Sequence, residues 1–347
     1  MGETIVKQVA GIDVAQDELV VSLGDLKQDL STRVLAFKVF KNNAEGFLQL
    51  TEWVNKLTDQ HLGVHYVMEA TGVYHQAFAY FLSDQHCKVS VIVPNKISNY
   101  MRTLDIKTVT DKTSSEAIMM FGLQRSLKNW QPPGPIYKRL CQLIRERDQV
   151  VNMRTMAKNH LHAEKAEAQP HKDSLKRISQ QIAFFDKQVI QIVDSINQLI
   201  NENAELKRRI RQICTIPGVG LLTAATVLAE TNGFDLITSK KQLVSYAGLD
   251  VREKQSGTSV RGKARISKKG NRHLRKCLYM PSLTAIRHNE RLKAIYARLI
   301  SRHGVKMKAG VAVQRKLLEM IYTLYKKDEN YDPMYMSKKL ESSKTAP

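Results

Sequence analysis

Two hydrophobic periods run along this chain, and the change from one to the other divides it. In the first third the apolar runs are short. Residues 5–13 (Ile-Val-Lys-Gln-Val-Ala-Gly-Ile-Asp), residues 18–24 (Glu-Leu-Val-Val-Ser-Leu-Gly) and Val34 to Phe40 read as three strands with short connections, a meander. Asn43 reads as a helix cap, because Phe47, Leu48, Leu50, Trp53, Val54 and Leu57 recur at helical spacing over Ala44 to Leu57. Val64 to Glu69 is a predicted fourth strand, Val73 to Leu82 a helix, and Lys88 to Val93 a fifth strand ended by Pro94. Three strands, helix, strand, helix, strand predicts an α/β domain with a sheet of mixed direction.

After the cluster Trp130-Gln131-Pro132-Pro133-Gly134-Pro135 the period becomes helical, and the cluster reads as a domain boundary. Tyr137 to about Glu167 predicts a long polar helix. Leu175, Ile178, Ile182, Phe185, Val189, Ile192, Ile196, Leu199, Asn203, Leu206 and Ile210 then alternate spacings of three and four, a heptad seam. The seam predicts a coiled coil over residues 172–210 that joins subunits into a dimer or tetramer, with Asn203 at a core position fixing register; an internal hairpin against 137–167 is the alternative. Pro217-Gly218-Val219-Gly220 before a small-residue helix reads as the turn of a helix-hairpin-helix element. There Gly218 and Gly220 would let backbone N–H groups approach a phosphate, against the plainer alternative of a tight interhelical turn. Further helices are expected at Asp235 to Ala247, His273 to Ile286, Leu292 to Ile300 and Val311 to Lys326. In the second of these, Leu274, Leu278, Met280 and Leu283 would be buried, with Arg272, Arg275 and Lys276 facing out. The expected organisation is an α/β domain at 1–128, a coiled-coil region at 135–210, an all-α C-terminal domain at 211–330 and a polar tail at 331–347.

Charge adds a partner. The formal net charge is +21, yet residues 1–125 hold twelve Lys/Arg against fourteen Asp/Glu, so the surplus lies wholly beyond them. A cationic surface of that size fits nucleic acid. Four scattered cysteines without CxxC spacing argue against a zinc site or a disulfide framework and fit a reducing cytosol. No window approaches a membrane span, so a cytoplasmic, nucleoid-associated protein is expected.

The candidate chemistry falls in both halves. The element order of the first domain is that of the RNase H-like (RuvC-like) fold, where strands one and four are neighbours. Asp13 and Glu69 end those strands, so their carboxylates would meet at one sheet edge, a setting suited to Mg²⁺; singly, each could be a surface turn residue. Asp111 lies where a helix starts, and could be a cap. In the second half, Ser256 sits in the small-residue stretch Gln255-Ser256-Gly257-Thr258-Ser259, which runs into Arg261, Lys263, Arg265, Lys268, Lys269, Arg272, Arg275 and Lys276. Between Lys240 and Lys276 there are twelve Lys/Arg and two acids. Either the serine is incidental to a phosphate-gripping loop, or it is a nucleophile set against a phosphodiester.

Several motifs in order resemble one family. Gly11-Ile12-Asp13-Val14-Ala15, Met68-Glu69-Ala70-Thr71-Gly72-Val73-Tyr74, Ile216-Pro217-Gly218-Val219-Gly220, Ser256-Gly257 with Arg261-Gly262, Ser267-Lys268-Lys269-Gly270-Asn271 with Leu274-Arg275, and Leu278-Tyr279-Met280-Pro281 are similar to signatures of the DEDD-type insertion-sequence transposases related to the Piv DNA invertases, the bridge-RNA-guided serine recombinases. The resemblance covers nearly the whole chain. It implies an acid-bound Mg²⁺, a C-terminal serine (Ser256 by position, with Ser259 and Ser267 as lesser candidates) that attacks DNA to give a phosphoserine intermediate, acids of one subunit meeting the serine of another, and a noncoding bridge RNA paired to donor and target DNA. One position departs: the family's third motif has two Asp three apart, and here Asp111 is followed by Ser114. Positions i and i+3 share a helix face, so the hydroxyl or a water would replace a carboxylate ligand; Glu116 and Asp105 are poorer substitutes. Two rivals are an RNase H-like nuclease or junction resolvase, which needs the acids but not Ser256, and a catalytically silent nucleic-acid-binding protein.

Overall fold

The computed structural model describes residues 4–70, 72–104, 107–253, 255–256, 260–262 and 265–334. The chain divides between Pro132 and Pro133 into two compact units.

The first unit is built on a five-stranded sheet of β1 (Ile5–Val14), β2 (Glu18–Lys27), β3 (Thr32–Lys41), β4 (His65–Glu69) and β5 (Lys88–Ile92), in the order β3-β2-β1-β4-β5. β1, β2 and β3 form the expected antiparallel meander. β4 runs parallel to β1, with Ile12 opposite Met68, and β5 parallel to β4. The mixed sheet and the pairing of strands one and four are as the sequence predicts. Four helices cover it: α1 (Ala44–Leu57), α2 (His75–Asp84), α3 (Pro94–Met101) and α4 (Asp111–Gln124). Asn43 caps α1, its Oδ1 accepting from Gly46 N at 2.9 Å.

Strand residues point alternately to the two faces, and the cores follow that alternation. Ala10, Ile12, Tyr66 and Met68 pack with Phe47, Leu50, Phe78 and Leu82 of α1 and α2. Val9 and Val67 pack on the other face with Ile97 and Tyr100 of α3 and Ile118, Met119 and Phe121 of α4. Gly11 and Asp13 share the parity of Val9, and Glu69 that of Val67, so all three belong to the face covered by α3 and α4.

The second unit is largely helical: α5 (Pro135–Lys165), α6 (Lys172–Glu202), α7 (Ala204–Cys214), α8 (Leu221–Glu230), α9 (Lys240–Tyr246), α10 (Arg272–Cys277), α11 (Tyr279–His288), α12 (Glu290–His303) and α13 (Lys306–Lys327). Between α9 and α10 stand two short ladders, β6 (Val251–Arg252) with β9 (Arg265–Ile266) and β7 (Gln255–Ser256) with β8 (Val260–Arg261). α5 and α6 are both 31 residues long, about 45 Å at 1.5 Å per residue, and pack against one another as a hairpin. Ile178, Ile192, Ile196 and Leu199 of the heptad seam are buried within the single chain, while Leu175, Ile182, Phe185 and Val189 are half-buried, so the internal hairpin takes up part of the seam. Asn203 does not sit inside a continuous coil. It takes an extended conformation between α6 and α7, and its Oδ1 accepts from Leu206 N at 2.7 Å, capping α7. A side chain that can accept from the backbone is worth more at a helix start than in an apolar seam. Among the described residues no helix is long and apolar enough to cross a membrane.

One other expectation is corrected here. The helix expected from His273 to Ile286 is broken at Leu278 into α10 and α11, and the turn of the second helix leaves Met280 and Leu283 exposed while Pro281, Ser282 and Ala285 are buried. Packing alone already requires glycine at 218. Its φ is +93°, and a Cβ there would fall 2.8 Å from the Pro281 carbonyl oxygen of α11. Gly220 is the residue before α8, and a Cβ there would meet nothing within 4 Å.

Candidate acidic site and cationic loop

The acidic site depends on how closely α4 lies on β1. A Cβ at Gly11 would fall 2.5 Å from the Ser115 carbonyl oxygen, and one at Gly122 would fall 2.7 Å from Val9 Cγ1. Glycine at these two points lets helix backbone rest on the strand. Ser115 and Ser22, both buried, share a 2.8 Å hydrogen bond across the contact. Lys7 donates through Nζ to the Arg125 carbonyl oxygen just past the far end of α4, at 2.7 Å. The start of α4 is fixed by a capping box between Thr110 and Thr113, so Thr110 is the cap and Asp111 is the first helical residue.

This packing brings Asp13, Asp111 and Ser114 together. The Asp13 carboxyl is pushed above the usual aspartate range, first by burial and next by the negative charge of Asp111; hydrogen bonds from Val14 N–H and the Ser114 hydroxyl oppose the shift. Asp111 and Ser114 thus lie on one helix face toward Asp13, while Glu116 lies about 140° and about 160° round the helix from them at roughly 100° per residue. Glu69, at the end of the neighbouring strand, lines a cavity of about 710 Å³ with Pro94, Asn95, Ser98, Met101, Arg102, Leu104 and Val109. Asp105 lies outside the described residues. Among the described residues no three of His, Cys, Asp or Glu converge as a metal-binding group. The donors that do meet are hard oxygens, two carboxylates and a hydroxyl, and the two carboxylates repel. That set fits a Mg²⁺ that keeps several waters and a phosphate oxygen, not a closed protein cage.

In the second unit the described part of the Ser256 segment is backbone. Ser256 pairs with Val260 and Gln255 with Arg261 in a small hairpin; the side chains of Ser256 and Arg261, and all of Ser259 and Lys263, lie outside the described residues. The stems are better defined. Ser267, Lys268 and Asn271 donate their N–H groups to the carbonyls of Asp250 (2.8 Å), Gly248 (3.1 Å) and Tyr246 (2.7 Å), and the Ser267 hydroxyl bonds Asp250 Oδ1 at 2.5 Å. Ser267 is therefore engaged in holding the stem.

The predicted cationic residues separate into two groups. Arg265, Lys268, Lys269 and Arg272 are exposed. Arg275 does not face out: its Nη1 donates to the Ala247 carbonyl at 2.8 Å and the Gly270 carbonyl at 3.1 Å. Lys276 pairs with Asp148 at 3.1 Å, and His273 stands 3.8 Å from the same carboxylate. Glu230 is a residue that sequence reasoning missed. It ends the apolar helix α8 with a side chain 1% exposed, and Arg145 of α5 grips it with two 2.9 Å bonds, Nε to Oε1 and Nη2 to Oε2. Burial pushes this carboxyl up, but the hydrogen bonds from Arg145 and Asn271 outweigh it and hold the group below the usual glutamate range. A lone acid closing a small-residue helix was the available signal.

Two carboxylates meet where a helix lies on a mixed sheet, and the helical unit that follows carries exposed cations, a combination suited to work on polynucleotides. Comparison with known proteins makes this specific. A transposase model of the DEDD type matches residues 10–164, and the model of the IS116/IS110/IS902 transposase family matches residues 210–297. The chain belongs to this family of insertion-element transposases. It is 28% identical over 294 residues to the pilin gene-inverting proteins of Moraxella bovis and Moraxella lacunata, covering 84% of this chain and 89% of theirs. It is 32% identical over 127 residues to a transposase for insertion sequence element IS1111A of Coxiella burnetii, covering 35% of this chain and 34% of that one. Among solved structures, Thermus thermophilus RuvC aligns over 35% of this chain and 99% of its own, with 14% identity and a TM-score of 0.28. That likeness carries no part of the functional argument.

Proposed function

We propose that this chain is a DNA recombinase that moves or inverts an element by strand cleavage and exchange, with Mg²⁺ at Asp13, Asp111, Ser114 and Glu69 and with Ser256 as the nucleophile. The observation that carries this is the meeting of Asp13, Asp111 and Ser114 at the sheet edge, two repelling carboxylates and a hydroxyl with a stem-held serine hairpin elsewhere in the chain. Ser256 Oγ forms a bond to phosphorus, the P–O bond to the leaving strand breaks, and the released strand hydroxyl takes up a proton. Attack by a second strand hydroxyl reverses the step on the new partner and restores the serine. The phosphodiester energy is conserved in the adduct, so rejoining needs no ATP. Mg²⁺, when bound, supplies charge stabilisation to the phosphoryl oxygens.

Arg265, Lys268, Lys269 and Arg272 offer the exposed charge for flanking phosphates, with Arg261 and Lys263 nearby in sequence. The likeness to pilin gene-inverting proteins supports inversion as the form of exchange as readily as transposition. The motifs quoted above support guidance by a noncoding bridge RNA paired to donor and target DNA. The exposed Phe184 and Ile190 on α6 support homo-oligomers formed through the α5–α6 hairpin. A protein of this kind works in the cytoplasm at the nucleoid.

The decisive experiment traps the protein–DNA adduct and identifies the modified residue. Ser256→Ala is expected to abolish the adduct while nucleic-acid affinity stays within about twofold. An adduct formed by the alanine variant, or cleavage that persists without one, would replace this proposal with the nuclease alternative.

A further inference from the structure

Glu230 holds both stems of the serine hairpin at once. On the entry side, the Tyr246 hydroxyl donates to the Glu230 carbonyl oxygen at 2.8 Å. On the exit side, Asn271 Nδ2 donates to Glu230 Oε2 at 2.6 Å. The same Asn271 caps α10, its Oδ1 accepting from His273 N and Leu274 N at 2.9 and 3.1 Å. The remaining capacity of the carboxylate is taken by Arg145, with the Cys141 thiol 3.5 Å from Oε1. A buried carboxylate with a bidentate guanidinium and an amide donor is a fixed point, because releasing the guanidinium leaves a charge without compensation and releasing the amide leaves a buried oxygen short of a donor.

The chain between these two stems is residues 247–270, which contains the whole β6–β9 segment and Ser256. We propose that Glu230, clamped by Arg145 of α5, is the positioning residue of the serine hairpin: it ties the entry stem through Tyr246 and the exit stem through Asn271, so the long helical arm and the serine hairpin share one anchor. This rests on Ser256 as the nucleophile; the anchoring itself does not. The charged and titratable groups facing Glu230 are Arg145 and Cys141 from α5, Tyr246 from α9, and His273 and Cys277 from α10, with Asp148 the neighbour of His273 on the far side.

The test uses Asn271→Asp in the full-length protein. Aspartate keeps the cap acceptor for α10 but replaces the donor to Glu230 with a second carboxylate. At about pH 8 the two charges repel, and hydrogen exchange at the Ser267, Lys268 and Asn271-position amides is expected to rise on the order of tenfold. At about pH 5.5 one carboxylate takes a proton, donates to the other, and exchange returns toward the wild-type value. Adduct formation is expected to follow the same pH course, with oligonucleotide affinity unchanged. A merely structural defect would not recover on acidification. Asn271→Ser, which keeps a cap oxygen but has no donor for Glu230, is expected to raise exchange at both pH values, and it is scored alone if the aspartate variant does not fold. Wild-type exchange in the folded variants at both pH values overturns the proposal. A wild-type protein that forms no serine adduct overturns the proposed chemistry instead, and leaves the exchange measurement to decide the anchoring.

Discussion

The acidic site and the serine hairpin are held by different means. At the acidic site, backbone lies on backbone: Gly11 has no Cβ, α4 comes down on β1, and Asp111 and Ser114 arrive beside Asp13 as a consequence. The hairpin stems are also close, since a Cβ at Gly270 would fall against the Tyr246 carbonyl oxygen, but here a polar tie is added. A buried polar residue, Glu230, is bonded to one stem through its carbonyl and to the other through its carboxylate. The first arrangement tolerates loss of polar partners but not of space. The second depends on charge balance as well as on space.

The largest test of that contrast removes a charge from the crowded side. Asp13→Asn is expected to lower strand cleavage by at least about a thousandfold, as loss of a catalytic carboxylate does, while binding by the cationic unit is retained. Its stability should move the other way. The folded protein holds the Asp13 proton more tightly than the unfolded chain does, so the ionised site is a penalty that grows as pH rises through that raised range. Bound Mg²⁺ would offset the penalty. A magnesium-dependent rise in melting temperature at neutral pH, absent in Asp13→Asn, is the expected result; equal shifts in both proteins would place the cation elsewhere.

Adding a single methyl to the contact comes next. Gly11→Ala forces a Cβ against the Ser115 carbonyl and should cost about 1–3 kcal/mol, as overpacking does, with a loss of cleavage larger than the loss of stability explains. Unchanged cleavage in a folded Gly11→Ala protein would show that the α4 contact does not set the site.

On the cationic side, two arginines three positions apart should behave differently. Arg275→Gln leaves two carbonyls without their donor, and a loss of about 1–3 kcal/mol in stability is expected. Arg272→Gln should leave melting unchanged and reduce the salt dependence of nucleic-acid binding by about one unit of slope. Matching phenotypes would erase the division between structural and exposed cations.

The smallest effect is expected at Ser114→Asp. A third carboxylate in the Asp13 site should lower stability slightly without cation and tighten Mg²⁺ binding by roughly tenfold, since charge count tunes affinity. Identical magnesium titrations would remove Ser114 from the ligand set.

Much of the first unit was legible because its constraints are local. Alternating strands, a capping asparagine and two strand-end acids can be read from windows of a few residues, and the sheet order follows from the element order. The helical face shared by Asp111 and Ser114 follows from helix geometry. The second unit was less legible because its decisive partners are distant in sequence: Arg145 reaches Glu230 from 85 positions away, and Arg275 bonds Ala247 from 28. Nothing in a window around Arg275 distinguishes it from Arg272. The heptad seam was read correctly as apolar, yet Asn203 is compatible both with a buried register-setting amide and with a cap, and only the chain's path decides for the cap.

By itself, then, the sequence determined the kind of chemistry: the acids, the serine in a cationic stretch and the periods that make strands and helices are properties of residue type and spacing. The tertiary structure decided which of those residues act together. Whether α4 comes near enough to β1 depends on the absence of a Cβ at Gly11, and whether a cation is exposed or engaged depends on carbonyls and carboxylates that long-range packing brings to it.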